Sequence, residues 1–153
     1  MFKRLKKAIF GPPPPPKVPE FTHPELGLLK SDEEVDSWVV QVEAEGDSFS
    51  FAIDGEETPD ELSCQHALEI LRDYSAFKKM LADFTEDHIE SSGKWKERRD
   101  YVDEVRALVL DQIALWQPAE SRKGMVFFTG PDEYRCWRCD FADGKAEGLA
   151  FDD

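Results

Sequence analysis

The stretch that decides the fold is SWVVQVEAEGDSFSFAI, residues 37–53. Apolar and polar side chains alternate over residues 38–42 and again over residues 49–53. Period-two alternation is typical of strands with one buried face. The Glu-Gly-Asp sequence at 45–47 allows a tight reversal between them. The stretch therefore predicts a β-hairpin.

A helical pattern follows the hairpin. Thr58 and Pro59 suit the start of a helix, because threonine can cap free N–H groups and proline needs no donor in the first turn. Apolar residues then recur at spacings of three and four from 62 to 89, with a bend predicted near Tyr74. The same spacing continues from 102 to 116, which predicts a last helix there.

Further strands are predicted on both sides of the helices. One lies at 26–30, and three more lie at 125–129, 134–141 and 149–151. The order of three strands, three helices and three strands predicts an α+β fold. In it, an antiparallel sheet from the N-terminal and C-terminal strands carries about three helices packed on one face.

Charge is distributed unevenly along the chain. The first 20 residues hold five basic groups and one acid, whereas the other 133 hold 14 basic and 32 acidic groups, a formal charge of −18. We therefore divide the chain into a basic arm with a polyproline linker, residues 1–20, and a single acidic α+β domain, residues 21–153. The acidic body repels phosphates, which argues against nucleic acid and favours a basic protein partner.

The basic arm combines apolar residues at helical spacing with cationic ones. The arm residues predicted to contact a partner are Phe2, Lys3, Arg4, Leu5, Lys6, Lys7 and Ile9. Such a segment suits an anionic membrane surface or a protein, or serves only as a solubilising terminus. Five prolines, Pro12 to Pro16, predict an extended rod that separates the arm from the body.

Acidic residues cluster in three parts of the body, around 54–61, 83–90 and 140–153. None of these clusters has the spacing of a calcium-binding loop. Most are expected to be solvated surface, and one is predicted to contact a basic partner. The residues of this predicted contact are Asp83, Glu86, Asp87 and Glu90.

Motifs for catalysis or metal binding are missing from the sequence. Cys136 and Cys139 lie in a predicted strand three residues apart, so their side chains should point to opposite faces. His66 and Glu69 would share a helix face, but no HExxH, nucleophile-elbow or phosphate-loop motif occurs. We predict no catalytic residue, cofactor or metal, and identify no small-molecule substrate.

The cellular compartment is predicted from cysteine usage and from the N-terminus. Three cysteines are too few for a secreted disulfide scaffold, and the first residues lack a secretory signal pattern. The prediction is a cytoplasmic protein. The alternative is a peripheral position at the inner membrane face, held by the arm.

The stretch PEFTHPELG, residues 19–27, resembles the opening of a family of uncharacterised small bacterial proteins. In that family a proline-rich lead precedes a His-Pro-Glu-Leu-Gly segment, and Trp38 and the segment 51–55 also fit it. Similar domains are sometimes placed among immunity proteins of bacterial toxin systems. The resemblance covers residues 17–60, implies a bacterial cytosolic α+β protein and transfers no catalytic residue.

The sequence supports three functional hypotheses. The leading one is a non-enzymatic, acidic protein-binding module of immunity or adaptor type, with Trp38 or Trp137 as an anchor if exposed. The first alternative is a peripheral membrane protein tethered by the arm. The second is an enzyme whose site the sequence does not reveal.

Overall fold

Eight strands and three helices form the described part of the chain. The computed structural model describes residues 11–15, 17–91, 99–116 and 122–152, and only the backbone of Arg99 and Asp100. The seven arm residues predicted to contact a partner lie outside these ranges. The strands are β1 (Glu20–His23), β2 (Gly27–Asp32), β3 (Ser37–Ala44), β4 (Asp47–Ile53), β5 (Val109–Leu115), β6 (Lys123–Thr129), β7 (Cys136–Ala142) and β8 (Lys145–Asp152). The helices are α1 (Glu61–Arg72), α2 (Tyr74–Ser91) and α3 (Arg99–Arg106).

The sheet is mixed, and the expected antiparallel sheet with helices on one face is wrong. All eight strands lie side by side in chain order. Neighbours are antiparallel except β4 and β5, which are parallel. The helical segment between these two strands carries the chain back along the sheet, so β5 enters in the same direction as β4. Two four-stranded antiparallel halves therefore meet at one parallel pair.

The predicted last helix, 102–116, is correct in its first residues and wrong in the remainder. Helix α3 ends at Arg106, and the apolar residues beyond it form β5. Their alternation is interrupted by a register shift between Leu110 and Gln112, a bulge that makes the spacing resemble a helix. A strand is favoured over a helix here because it places Ile113 opposite Phe51, where the Ile113 side chain is fully buried.

In the N-terminal half of the sheet the predicted hairpin is confirmed, and one strand is present that was not predicted. Glu45 and Gly46 both have positive φ, 51° and 84°, as a two-residue reversal between β3 and β4 requires. The sequence pattern missed β1, which is only four residues long and pairs Phe21 with Leu29 of β2.

Helix α1 is capped by Asp60 and not by Thr58. The Asp60 carboxylate accepts hydrogen bonds from the Ser63 backbone N–H and hydroxyl, both at 2.9 Å. The loop before it is tight: the Asp60 N–H donates to the Asp54 carbonyl at 2.8 Å, and Gly55 has φ 150°. A Cβ at Gly55 would lie 2.1 Å from the Thr58 carbonyl, so the loop accepts only glycine there. This close reversal leaves Thr58 outside the cap.

One hydrophobic core joins the strands to the helices. Alternate residues of the central strands are buried together with Cys64 and Ala67 of α1 and Phe77 of α2. Both candidate anchors belong to this core, since Trp38 is 4% and Trp137 0% exposed. None of the helices in the described ranges has the length and apolar character needed to cross a membrane.

Candidate interaction surface

The four predicted contact acids lie on exposed positions of α2, and Asp83 and Glu86 are paired with cations of this chain. Asp83 accepts a hydrogen bond from Lys79. Glu86 accepts two from Arg106, at 3.0 Å and 3.2 Å. The bond from Arg106 lowers the pKa of the Glu86 carboxyl. Asp87 makes no ion pair with any residue that the structure describes.

Arg106 links the acids of α2 to those of α3. The hydrogen bond to Glu86 raises the pKa of Arg106, and the nearby charges of Asp103 and Glu90 raise it further. One guanidinium therefore sits among three carboxylates. These four side chains together carry a formal charge of −2, so they contribute negative charge to this part of the surface.

The turn between β6 and β7 presents the most exposed large hydrophobic side chain among the described residues. Tyr134 is 82% exposed, ahead of Val109 at 62%. Its backbone is fixed because the Tyr134 N–H donates to Asp132 Oδ1 at 3.0 Å. Asp103 and Glu133 line the same open depression as Tyr134. An aromatic ring is thus held in solvent among carboxylates.

A buried carboxylate supports this turn from below. Glu104, 9% exposed, accepts hydrogen bonds from Trp137 Nε1 at 2.8 Å and from Arg135 Nη1 at 2.6 Å. The Arg135 guanidinium lies 4.9 Å from the centre of the Tyr101 ring and 5.0 Å from that of Phe151. This charged and aromatic cluster ties α3 to β7 and β8 and fixes the residue that comes after Tyr134.

We call the α2 acids and the turn around Tyr134, which Asp103 connects, the acidic surface. Its members are Asp83, Glu86, Asp87, Glu90, Asp103, Asp132, Glu133 and Tyr134. A ring flanked by carboxylates suits a lysine or arginine side chain, through cation–π attraction and ion pairing together. Sequence reasoning missed Tyr134 because the residue was assigned to the strand predicted at 134–141.

A second cluster, formed by His23, Glu61 and Cys64, was not predicted. One potential ligand atom from each lies within 4.8 Å of the others. However, His23 Nδ1 accepts the N–H groups of Glu25 and Leu26, both at 3.2 Å, so the ring proton sits on Nε2, facing Glu61 at 3.5 Å. That nitrogen then has no free lone pair for a metal. Burial also raises the pKa of the Cys64 thiol to about 12, which disfavours a thiolate ligand. We assign no metal site here.

The contacts of Cys136, Cys139 and the His66–Glu69 pair indicate structural roles for these residues. Cys136 is exposed and Cys139 buried, which confirms that they point to opposite faces of β7. Glu69 binds Arg122, with 2.7 Å between Oε2 and Nη1. The His66 ring packs edge-on against Phe141, with 5.9 Å between ring centres.

We predict that the protein loses stability in mild acid because of His66. Burial lowers its pKa from 6.5; the charges of Glu69 and Asp143 oppose this effect, and that of Arg122 adds to it. The unfolded chain therefore takes up a proton first, and stability falls as the pH drops through about 6.5, by at most about 1.4 kcal/mol per pH unit. When measured by denaturant unfolding, the free energy of unfolding should fall less between about pH 7 and about pH 5 for His66→Gln than for the parent protein. Parallel curves for the two proteins would contradict this assignment.

Comparison of the chain with protein-family models, with curated proteins and with solved structures finds no match. The resemblance of residues 19–27 to an immunity-protein-like family therefore stays a prediction. The function of this chain is inferred instead from the geometry and charge of the described residues.

Proposed function

We propose that this protein is a non-enzymatic binding module whose acidic surface engages a basic protein partner, in an immunity-type or adaptor role. The observation that supports this best is Tyr134, held 82% exposed on a hydrogen-bonded turn among carboxylates. Tyrosine is enriched among residues that dominate binding energy, because a rigid ring supplies large contact area at little entropic cost.

The charge of the whole chain supports the same kind of partner. A formal charge of −14 steers cationic proteins toward the body and repels other acidic ones. Glu133, like Asp87, makes no ion pair within the described ranges, so both carboxylates can pair with a partner without breaking an internal contact. Asp83 and Glu86 would first have to leave Lys79 and Arg106.

The rigid base beneath Tyr134 also favours binding. The turn does not need to order on association, because Glu104, Arg135 and Trp137 already hold it. Interfaces with preformed geometry lose less conformational entropy and retain more of their contact energy.

A matched pair of double variants tests this proposal. Tyr134→Ala with Glu133→Gln removes one exposed apolar side chain and one charge from the acidic surface. Val35→Ala with Glu34→Gln removes the same two features from the turn between β2 and β3, where Val35 is 44% exposed. Binding of a fluorescent oligolysine peptide should weaken about tenfold in the first variant and less than about twofold in the second.

Salt and the arm provide the controls for this experiment. Raising NaCl from about 50 mM to about 300 mM should weaken binding to the parent protein, since charge pairs at an exposed surface are screened. A protein lacking residues 1–17 should bind the peptide at least as well as the parent, because the deletion removes cations. Equal weakening in both double variants would show attraction by net charge alone and would contradict a surface centred on Tyr134.

The membrane-tether alternative concerns residues 1–10, which lie outside the described ranges, and rests on their sequence alone. It has its own readout. Retention of the parent protein on anionic vesicles, lost on deletion of residues 1–17, would support it independently of oligolysine binding.

A further inference from the structure

A cavity of about 470 Å³ lies between α2, α3 and the β3–β4 hairpin. Its volume is within the range typical of small-molecule sites. Three apolar residues of its wall, Leu81, Val105 and Phe128, are each less than 9% exposed. Val109 also lines the cavity but is 62% exposed. A molecule bound here would therefore remove a large apolar side chain from water.

The charged side chains of the lining are already in ion pairs of this chain. Lys78 pairs with Asp47 at 2.8 Å, and these side chains are 56% and 35% exposed. Arg106, whose side chain is 50% exposed, pairs with Glu86 at 3.0 Å. Each cation is thus balanced by a carboxylate and remains partly hydrated. A charged ligand would lose its own hydration without gaining an unpaired opposite charge among the described lining residues.

The uncharged polar side chains of the lining have hydrogen-bond partners as well. The Tyr74 hydroxyl donates to Asp47 at 2.8 Å, and the Thr85 hydroxyl donates to a main-chain carbonyl of its own helix at 2.9 Å. The Ser48 hydroxyl donates to Glu43 at 3.4 Å. A polar ligand would have to compete with these bonds, whereas an apolar ligand leaves them intact.

We propose that this cavity binds a small uncharged apolar molecule, which contacts the three buried apolar residues and removes Val109 from solvent. The affinity comes from the apolar area buried, because such a ligand needs neither a counter-charge nor a hydrogen bond. This site is separate from the proposed protein-binding function, since Tyr134 and Glu133 line a different depression. Arg106 borders both regions through its pair with Glu86.

Calorimetric titration with three eight-carbon probes tests this inference in the full-length protein. The buffer contains about 300 mM NaCl, because a formal charge of −14 would otherwise attract any cationic probe. Octanol, below its solubility limit, should bind saturably and at least about tenfold more tightly than either octanoate or octylammonium. Failure of octanol to saturate, or equal affinity for either ion, would overturn the proposal.

Three variants assign the binding to this cavity. Ala82 lines it from an exposed position on α2, so Ala82→Phe should fill the space and weaken octanol binding more than about tenfold. Ala76→Phe places the same ring at an exposed position of α2 outside the lining and should change the affinity less than about twofold. Val109→Thr, which replaces a methyl group with a hydroxyl, should weaken binding about threefold and keeps the test informative if phenylalanine disturbs α2. Undiminished octanol binding to both Ala82→Phe and Val109→Thr would overturn the assignment.

A charge-removing variant separates apolar recognition from ionic recognition. Lys78→Gln should change the affinity for octanol less than about twofold, because the ligand makes no contact that depends on the ammonium. A tenfold loss in Lys78→Gln would show that the cation holds the ligand and would contradict an uncharged, apolar site.

The two proposals fail independently of each other. Ala82→Phe should leave oligolysine binding unchanged, and the Tyr134→Ala, Glu133→Gln variant should leave octanol binding unchanged. Unchanged thermal midpoints would show that each variant is folded.

Discussion

Replacing Trp137 with alanine is expected to lower the free energy of unfolding by about 4 kcal/mol. Trp137 is fully buried in β7, and its ring lies 4.7 Å from that of Phe151. Truncation removes this apolar surface from the core and leaves a cavity that neighbouring strands cannot collapse to fill. It also removes the N–H donor that binds Glu104 at 2.8 Å.

Urea unfolding of Trp137→Ala, followed by circular dichroism, measures this loss directly. Tyr134→Ala is the matched control, since it truncates an aromatic residue three positions away that is 82% exposed. Its free energy of unfolding should change by less than about 0.5 kcal/mol. Similar losses in the two variants would mean that Trp137 is not the buried centre of this part of the core.

Replacing Glu104 with alanine is expected to destabilise the protein by about 3 kcal/mol, the lower end of the cost of breaking a buried charge pair. The Arg135 side chain is only 23% exposed and would lose the carboxylate at 2.6 Å. The buried Trp137 N–H would lose this acceptor at the same time, and Arg135 would keep the Asp132 carboxylate at 3.6 Å but lose the closer one. Removing the acceptor of a buried donor costs more than the net value of the bond itself.

Two further substitutions separate charge from hydrogen bonding at this position. Glu104→Gln keeps an acceptor for Trp137 but removes the charge facing Arg135, so its loss should be smaller, about 1–2 kcal/mol. Asp103→Ala, one residue earlier and exposed, should cost less than about 0.5 kcal/mol. If Glu104→Ala proved as mild as Asp103→Ala, the buried cluster would contribute nothing to stability.

Local pattern predicted the elements whose periodicity is regular. The hairpin of β3 and β4 follows from alternation around a Glu-Gly-Asp turn, and β7 follows from alternation as well. Strand β5 did not, because its bulge replaces a period of two with a helix-like spacing. The parallel pairing of β4 with β5 depends on the path of the helices across the sheet, which no local pattern contains.

The candidate surface was predictable in charge but not in geometry. The acids of α2 and the i,i+4 pair of Lys79 with Asp83 are visible in the sequence, whereas the pairing of Arg106 with Glu86 is identified only by the fold. Tyr134 and Trp137 lie three residues apart, yet one is a surface residue and the other is core. The difference arises because Trp137 lies on the buried face of β7 with Cys139 and Phe141, whereas Tyr134 lies in the turn before the strand.

Amide chemical-shift mapping tests most directly whether the acidic surface is the binding site. The isotope-labelled protein is titrated with oligolysine, and perturbed amides are assigned to the structure. We expect the largest changes at residues 83–90, 103–107 and 131–135, lost on raising NaCl to about 300 mM. Changes concentrated instead at the acids of the loop at 54–61, or spread evenly over all exposed acids, would contradict the acidic surface as the binding site.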